Sequence, residues 1–109
     1  MIQFFKTTSG SIIAVENQAI LPEESVKALC WLFGDAKVLN EKNIEGCFVG
    51  PRREMITPWS TNAVEITQNM NMGGITRIEE YFPVKDEQAA FDPMLQRLYH
   101  GLDQKIFET

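Results

Sequence analysis

The chain has 109 residues, of which 44% are apolar and 10% aromatic, and this is enough for one hydrophobic core of ordinary domain size. Fifteen acidic and ten basic side chains give a net charge of -5, and the basic residues are scattered apart from Arg52 and Arg53. A basic face that would neutralise phosphates is missing, so no nucleic-acid partner is expected. No apolar run approaches about 20 residues and no signal peptide is recognisable, so we expect a cytoplasmic protein that does not enter a membrane.

The first predicted elements are two short β-branched strands at residues 2–6 and 11–16, which turn residues 7–10 join into a hairpin. A helix is predicted to follow, with Pro22 at its first position, where proline is tolerated, and with Gly34 at its end. Four apolar residues at helical spacing are expected to face the core. They are Val26, Leu29, Cys30 and Phe33.

Strands are predicted next at residues 36–39 and 46–50, on either side of a polar turn at residues 40–43. Thr57 is a suitable N-cap for a second helix, and Pro58 suits its first position. The apolar residues of this helix share one face. They are Trp59, Ala63, Ile66 and Met70.

Gly73 and Gly74 end this helix, and residues 75–84 then alternate as a long strand is expected to do. Asp92 and Pro93 have the chemistry of another helix start. An apolar stripe would continue that last helix through Leu95, Leu98, Tyr99 and Leu102.

The predicted order ββαββαβα indicates a single α+β domain, 1–109, built as a two-layer sandwich. Its mostly antiparallel or mixed sheet would carry the helices on one face. The other face of such a sheet is commonly apolar and covered by another subunit or domain, so a homodimer of the isolated domain is also expected.

Recognised catalytic and metal motifs are missing from the sequence. It contains no phosphate-binding loop, dinucleotide fingerprint or HExxH motif. Cys30 and Cys47 lie on separate predicted elements from His100, the only histidine, so a nucleophilic pair or a zinc site is not expected. The adjacent pair Glu79 and Glu80 would point in opposite directions on a strand and is expected at the solvated surface. We therefore predict no catalytic residue, no metal site and no cofactor in this chain.

One segment, residues 50–69, concentrates Pro, Arg, Trp, Ser, Thr and Asn between a strand and the second helix. Free N–H groups at a helix start, an Arg side chain and several hydroxyls can hold a phosphate or a carboxylate. A capped helix with Trp59 in the core explains the same residues without a ligand. The residues alone leave both interpretations open.

The segment closely resembles a signature, approximately PRxGTISPWSSKATDIAHN, of large single-chain formylglycinamide ribonucleotide amidotransferases, also called phosphoribosylformylglycinamidine synthases. The direct matches are Pro51, Arg52, Ile56, Pro58, Trp59, Ser60, Ala63, Ile66 and Asn69. Thr57 and Thr61 replace one hydroxyl by another, and Asn62 stands where Lys is common. Further along, Arg77, Ile78 and Glu79 resemble an Arg-hydrophobe-Glu triplet that follows a glycine in that family. Residues 1–45 agree only in general pattern.

The resemblance implies a PurS-like N-terminal domain with a ferredoxin-like character, cut from a much longer chain. The parent enzyme would convert formylglycinamide ribonucleotide, glutamine and ATP to the amidine, glutamate, ADP and phosphate. Its ATP and Mg sites and its glutaminase cysteine would lie elsewhere, so this piece alone is expected to be inactive.

The implied role is that of a scaffold that organises the synthetase and glutaminase domains of the parent. The candidate residues for substrate or domain contacts are Pro51, Arg52, Thr57, Pro58, Trp59, Ser60, Thr61 and Asn62. Two alternatives remain open at this point. They are a free-standing small subunit and a regulatory module that binds an anion near Thr57.

Overall fold

A computed structural model describes residues 2–18, 21–39, 41–52, 55–70, 74–84 and 96–107. In these residues one layer is a six-stranded sheet and the other consists of two helices. The elements in chain order are β1 (Ile2–Lys6), β2 (Ile12–Asn17), α1 (Glu23–Leu32), β3 (Lys37–Leu39), β4 (Ile44–Pro51), α2 (Pro58–Asn69), β5 (Ile75–Val84) and β6 (Gln96–Leu102). The strand order is β3-β1-β2-β5-β4-β6, and each described pairing is antiparallel. The predicted α+β sandwich with helices on one face is confirmed.

The hairpin of β1 and β2 forms as the turn residues predict. Its register runs from Ile2 opposite Glu16 to Lys6 opposite Ile12. The turn is closed by the Thr7 amide, which donates to the Ser11 carbonyl at 2.9 Å. The hairpin places β2 beside β5, so the long strand β5 lies in the middle of the sheet.

Both helices form close to their predicted limits. Pro22 is the N-cap of α1 rather than its first helical residue, and Gly34, at a φ of 74°, follows the helix end. Leu29, which belongs to α1, is fully buried. Thr57 caps α2 with Pro58 at the first position, as the sequence predicts.

The strands predicted at residues 36–39 and 46–50 form as β3 and β4, and they lie apart in the sheet, because β3 pairs with β1 whereas β4 lies between β5 and β6. The prediction of a last helix is wrong, since residues 96–102 form a strand in which Tyr99 lies opposite Phe48. Apolar residues at short spacing fit a strand as well as a helix, and here pairing with β4 decides between them. Residues 92, 93 and 95 of that predicted helix lie outside the described residues.

The core occupies both faces of the sheet. Beneath the helices it consists of Phe5, Ile13, Val15, Leu29, Ala36, Ala63, Ile75 and Ile78. On the opposite face it consists of Ile2, Phe4, Ile12, Ala14, Phe48, Tyr81, Tyr99, Leu102 and Ile106. Each residue of this second cluster is at most 5% exposed, so the sheet face expected to be free is already buried within the chain.

Gln104 helps to close that second face. Its side chain accepts from the Ile2 amide at 2.6 Å and donates to the Ile2 carbonyl at 2.9 Å. It also donates to the Lys42 carbonyl, just before β4, at 3.1 Å. The start of β1 and the approach to β4 are thereby tied to the residues after β6, and the predicted homodimer stays a prediction.

Candidate functional site

A buried ion pair lies at the point where the segment between β4 and α2 meets β5. Arg77 Nε donates to Glu79 Oε2 at 3.1 Å, and the two side chains are 6% and 1% exposed. The two residues stand two apart on β5, so they project from the same side of the strand. The expectation that Glu79 is a solvated surface residue is therefore wrong, because an arginine on its own strand neutralises it inside the fold.

Thr57 connects this ion pair to the start of α2. Its hydroxyl donates to Glu79 Oε1 at 2.7 Å, and its amide donates to Glu79 Oε2 at 3.3 Å. The same hydroxyl oxygen accepts from the Ser60 amide at 3.0 Å, which is the N-cap bond. One threonine therefore both begins the helix and fixes it to β5.

We expect Thr57→Ala to destabilise the domain by about 2 kcal/mol, because it removes the helix cap and a hydrogen bond to a buried carboxylate. Thr57→Ser keeps the hydroxyl and should restore most of the loss. Thr61→Ala is a matched control, since Thr61 is exposed and its hydroxyl makes only a 3.4 Å contact with the Thr57 carbonyl. Urea unfolding measures all three, and equal stability of the Thr57→Ala and Thr61→Ala variants would contradict the assignment.

The backbone of the segment is held by the same arginine. Arg77 Nη2 donates to the carbonyls of Arg52 at 3.3 Å and Met55 at 2.8 Å, and its guanidinium lies 4.4 Å from the centre of the Phe107 ring. On the other side, the Tyr99 hydroxyl donates to the Pro51 carbonyl at 2.6 Å. These contacts give the Pro51–Arg52 part of the signature a structural role through its carbonyl groups.

Ser60 also points inward. It is fully buried, and its Oγ accepts from the Ile78 amide of β5 at 3.1 Å. The described pairing of β4 with β5 runs from Val49 opposite Phe82 toward Val84, so Ile78 lies past it. The serine hydroxyl satisfies a strand amide at the point where helix α2 replaces β4 as the neighbour of β5.

The remaining candidate residues point outward. Pro58, Thr61 and Asn62 are exposed, and Arg52 is half-buried. Trp59 is 45% exposed, and Ile66 and Met70 on its helix face are also exposed. The interpretation that buries Trp59 in the core is therefore wrong, because Ser60, Ala63 and Thr67 form the buried face of α2 instead.

A pocket of about 470 Å³ is lined by residues from both parts of the chain that carry the family resemblance, residues 50–69 and the triplet 77–79. It is lined by Gly50, Pro51, Thr57, Trp59, Glu79, Glu80, Phe82 and Gln96. Three of these residues were predicted candidates, and β5 and β6 supply most of the others. Strand alternation is the sequence signal for Glu80 and Phe82, since residues two apart share a face. Gly50 and Gln96 carry no such signal.

The charge of this pocket argues against an anion site at the α2 start. The Glu79 carboxylate already accepts from the Thr57 amide, in the place that a bound anion would take. Glu80 adds a second carboxylate, and neither lysine nor arginine is among the described residues that line the pocket. A phosphate there would face the Glu80 carboxylate, which disfavours the regulatory-module alternative.

A second pocket, of about 570 Å³, lies at the other end of the sheet and contains Cys47 and His100. The two residues are directly opposite each other on β4 and β6 and so project from the same face. The sequence argument that separate elements would keep them apart is wrong. Within the described residues no three metal-binding side chains come together.

Fold and site together define a small α+β domain whose signature residues build a buried polar network beneath an aromatic pocket. The chain matches the family described as formylglycinamide ribonucleotide amidotransferase N-terminal over residues 11–105. It belongs to that family and therefore to an amidotransferase of purine biosynthesis. Neither the curated proteins nor the solved structures give a match. Across the described residues, neither helix has the length and apolar character needed to span a bilayer.

Proposed function

We propose that this domain is a scaffold within its enzyme and does no chemistry itself. It would position the synthetase and glutaminase parts of the parent chain, which would bind ATP and Mg and convert formylglycinamide ribonucleotide to the amidine with glutamine as nitrogen donor. The proposal rests on the direction in which the signature residues point.

Several polar groups of the signature are engaged inside the fold. Thr57 and Ser60 bond to β5, and the carbonyls of Pro51 and Arg52 accept from Tyr99 and Arg77. A catalytic site would instead need such groups to be available to a substrate.

Aromatic and aliphatic side chains take the exposed positions around the same segment. Ile56 is 61% exposed, Trp59 45% and Phe82 49%. Exposed apolar surface of this kind marks a place where another protein surface binds. The inward polar groups and the outward apolar side chains therefore both support a docking role for the α2 start.

Trp59→Ala in the parent enzyme tests the proposal. We expect glutamine-dependent amidine formation to fall by about tenfold, because a partly exposed tryptophan at an interface commonly carries much of the docking energy. Turnover with ammonia supplied directly should fall less, since it does not require the glutaminase to be correctly placed. Both rates are measured on the purified enzyme.

Trp31→Ala is the matched control. Trp31 is 71% exposed on α1 and does not line the pocket of Trp59, so both rates should stay close to those of the unaltered enzyme. If Trp59→Ala leaves glutamine-dependent turnover unchanged at normal expression, or lowers both rates equally, the scaffold role is refuted.

A further inference from the structure

We propose that the pocket between Trp59, Phe82 and Glu80 receives an arginine side chain that projects from an apolar patch of the protein surface against which the domain docks. The inference rests on the proposed scaffold role and adds the chemistry of the partner. It is carried by two half-exposed aromatic rings and by a carboxylate for which the described residues supply no matching charge.

The exposed aromatic side chains that line the pocket favour the binding of a partner that covers them. Trp59 on α2 and Phe82 on β5 line it from two different elements, and they are 45% and 49% exposed. Removing such rings from water is favourable in proportion to the apolar area covered. A partner that gains from this burial must close over the mouth of the pocket.

Closing the pocket also removes water from Glu80. This carboxylate is half-buried, and Oε2 accepts from the Ser11 hydroxyl at 2.5 Å. Among the described residues no lysine or arginine forms an ion pair with it. A carboxylate that loses its water without gaining a cation is strongly unfavourable, so a partner with only apolar groups would be rejected.

The neighbouring Glu79 does not provide this selectivity. It is matched by Arg77 and bonded to Thr57, so its charge is already neutralised within the fold. The negative charge available to a partner is therefore that of Glu80.

An arginine meets both requirements of the pocket. Its planar guanidinium stacks on aromatic faces and forms directed hydrogen bonds to a carboxylate, whereas the lysine ammonium is a compact and strongly hydrated charge. The volume of about 470 Å³ is ample for one such side chain with part of the backbone that carries it. Apolar residues beside the arginine would cover the exposed Ile56, which directly precedes Thr57 in the chain.

The test uses the 109-residue chain with Trp31→Phe, so that Trp59 is its single tryptophan. The probe is the blocked tripeptide Leu-Arg-Leu, and the comparison peptide carries citrulline, which has nearly the same shape without the charge. Binding is followed by Trp59 fluorescence and by the NMR signal of its indole N–H. We expect the arginine peptide to bind about tenfold more tightly than the citrulline peptide, a difference typical of a partly buried ion pair with ring stacking.

Glu80→Gln removes the charge but keeps an oxygen that can accept from Ser11, so the fold should survive. It should reduce the advantage of the arginine peptide to within about twofold. Glu65→Gln, on the exposed side of α2, makes the same change in net charge away from the pocket and should leave the advantage intact. Circular dichroism confirms the folding of each variant.

Three results would overturn the proposal. The first is equal binding of the two peptides, or tighter binding of a Leu-Glu-Leu peptide. The second is no response of Trp59 at peptide concentrations on the order of 10 mM, where even weak sites fill. The third is a concentration-dependent change of Trp59 without peptide, which would make a second copy of the chain the occupant. None of these results alters the turnover assay of the parent enzyme, so the scaffold role and the arginine pocket fail separately.

Discussion

Replacing Arg77 by methionine should destabilise the domain by about 3 to 5 kcal/mol, because it leaves the charge of Glu79 inside the protein without its cation. Glu79 is 1% exposed, and its only other described partner is Thr57. Methionine keeps much of the aliphatic volume of arginine, so lost packing contributes little. The same substitution releases the carbonyls of Arg52 and Met55, which should loosen the segment that leads into α2.

Guanidinium unfolding followed by circular dichroism measures this loss. The double variant Arg77→Met with Glu79→Gln is the informative control, since a neutral amide can still accept from Thr57 and no longer requires a cation. It should be clearly more stable than the single Arg77→Met variant. A single variant that loses less than about 1 kcal/mol, or a double variant that is no more stable than the single one, would show that the charge pair is not what fixes the segment.

The parts of the fold that depend on local chemistry could be predicted from the sequence. The start of α2 follows from a capping threonine and a proline at the first position, and both effects involve residues within one helical turn. The extent of β5, residues 75–84, and the turn of the first hairpin follow from local sequence in the same sense, although burial along β5 does not follow the predicted alternation. The family that the signature region suggests is also confirmed, since the family match spans residues 11–105.

The directions of the site residues could not be predicted, because they depend on contacts between distant segments. Hydrophobic periodicity favours a buried Trp59, yet the buried face of α2 carries Ser60 and Thr67, whose hydroxyls bond to the Ile78 amide and the Val64 carbonyl. A polar residue is acceptable in the core when its hydrogen bonds are satisfied, and no periodicity rule contains that information. Because these residues take the buried face of α2, Trp59 lies on the exposed side of the helix.

The same limitation explains the wrong assignment of β6. Leu98, Tyr99 and Leu102 have a spacing that suits one face of a helix, but Tyr99 is buried against Tyr81 and its hydroxyl reaches the Pro51 carbonyl. Both contacts come from strands far away in sequence. The prediction failed at an element whose strand pairing comes from β4 and whose tyrosine packs against β5.

Gly50 is the second position where a small change should have a large effect. A Cβ atom on Gly50 would lie 2.2 Å from Tyr81 Cδ2 and 2.5 Å from Cε2, distances that no packed carbon atoms tolerate. Tyr81 is fully buried and its ring packs edge to face against Tyr99 with centroids 5.2 Å apart, so it has little room to move. Glycine is therefore required here by the close approach of the backbone to a ring. We expect Gly50→Ala to cost about 3 kcal/mol, at the upper end for an overpacked core.

Thermal and urea unfolding of the Gly50→Ala variant measure this cost, and two comparisons isolate its cause. Gly34→Ala places a Cβ in open space at a φ of 74°, so it should cost only the backbone strain of about 1 kcal/mol. Tyr81→Val removes the clashing ring atoms, so adding Gly50→Ala to it should cost much less than in the unaltered chain, which is the signature of direct coupling between two sites. Additive losses in the double variant would mean that Gly50 is needed for another reason, and that the ring does not set the shape of the pocket wall beside Pro51.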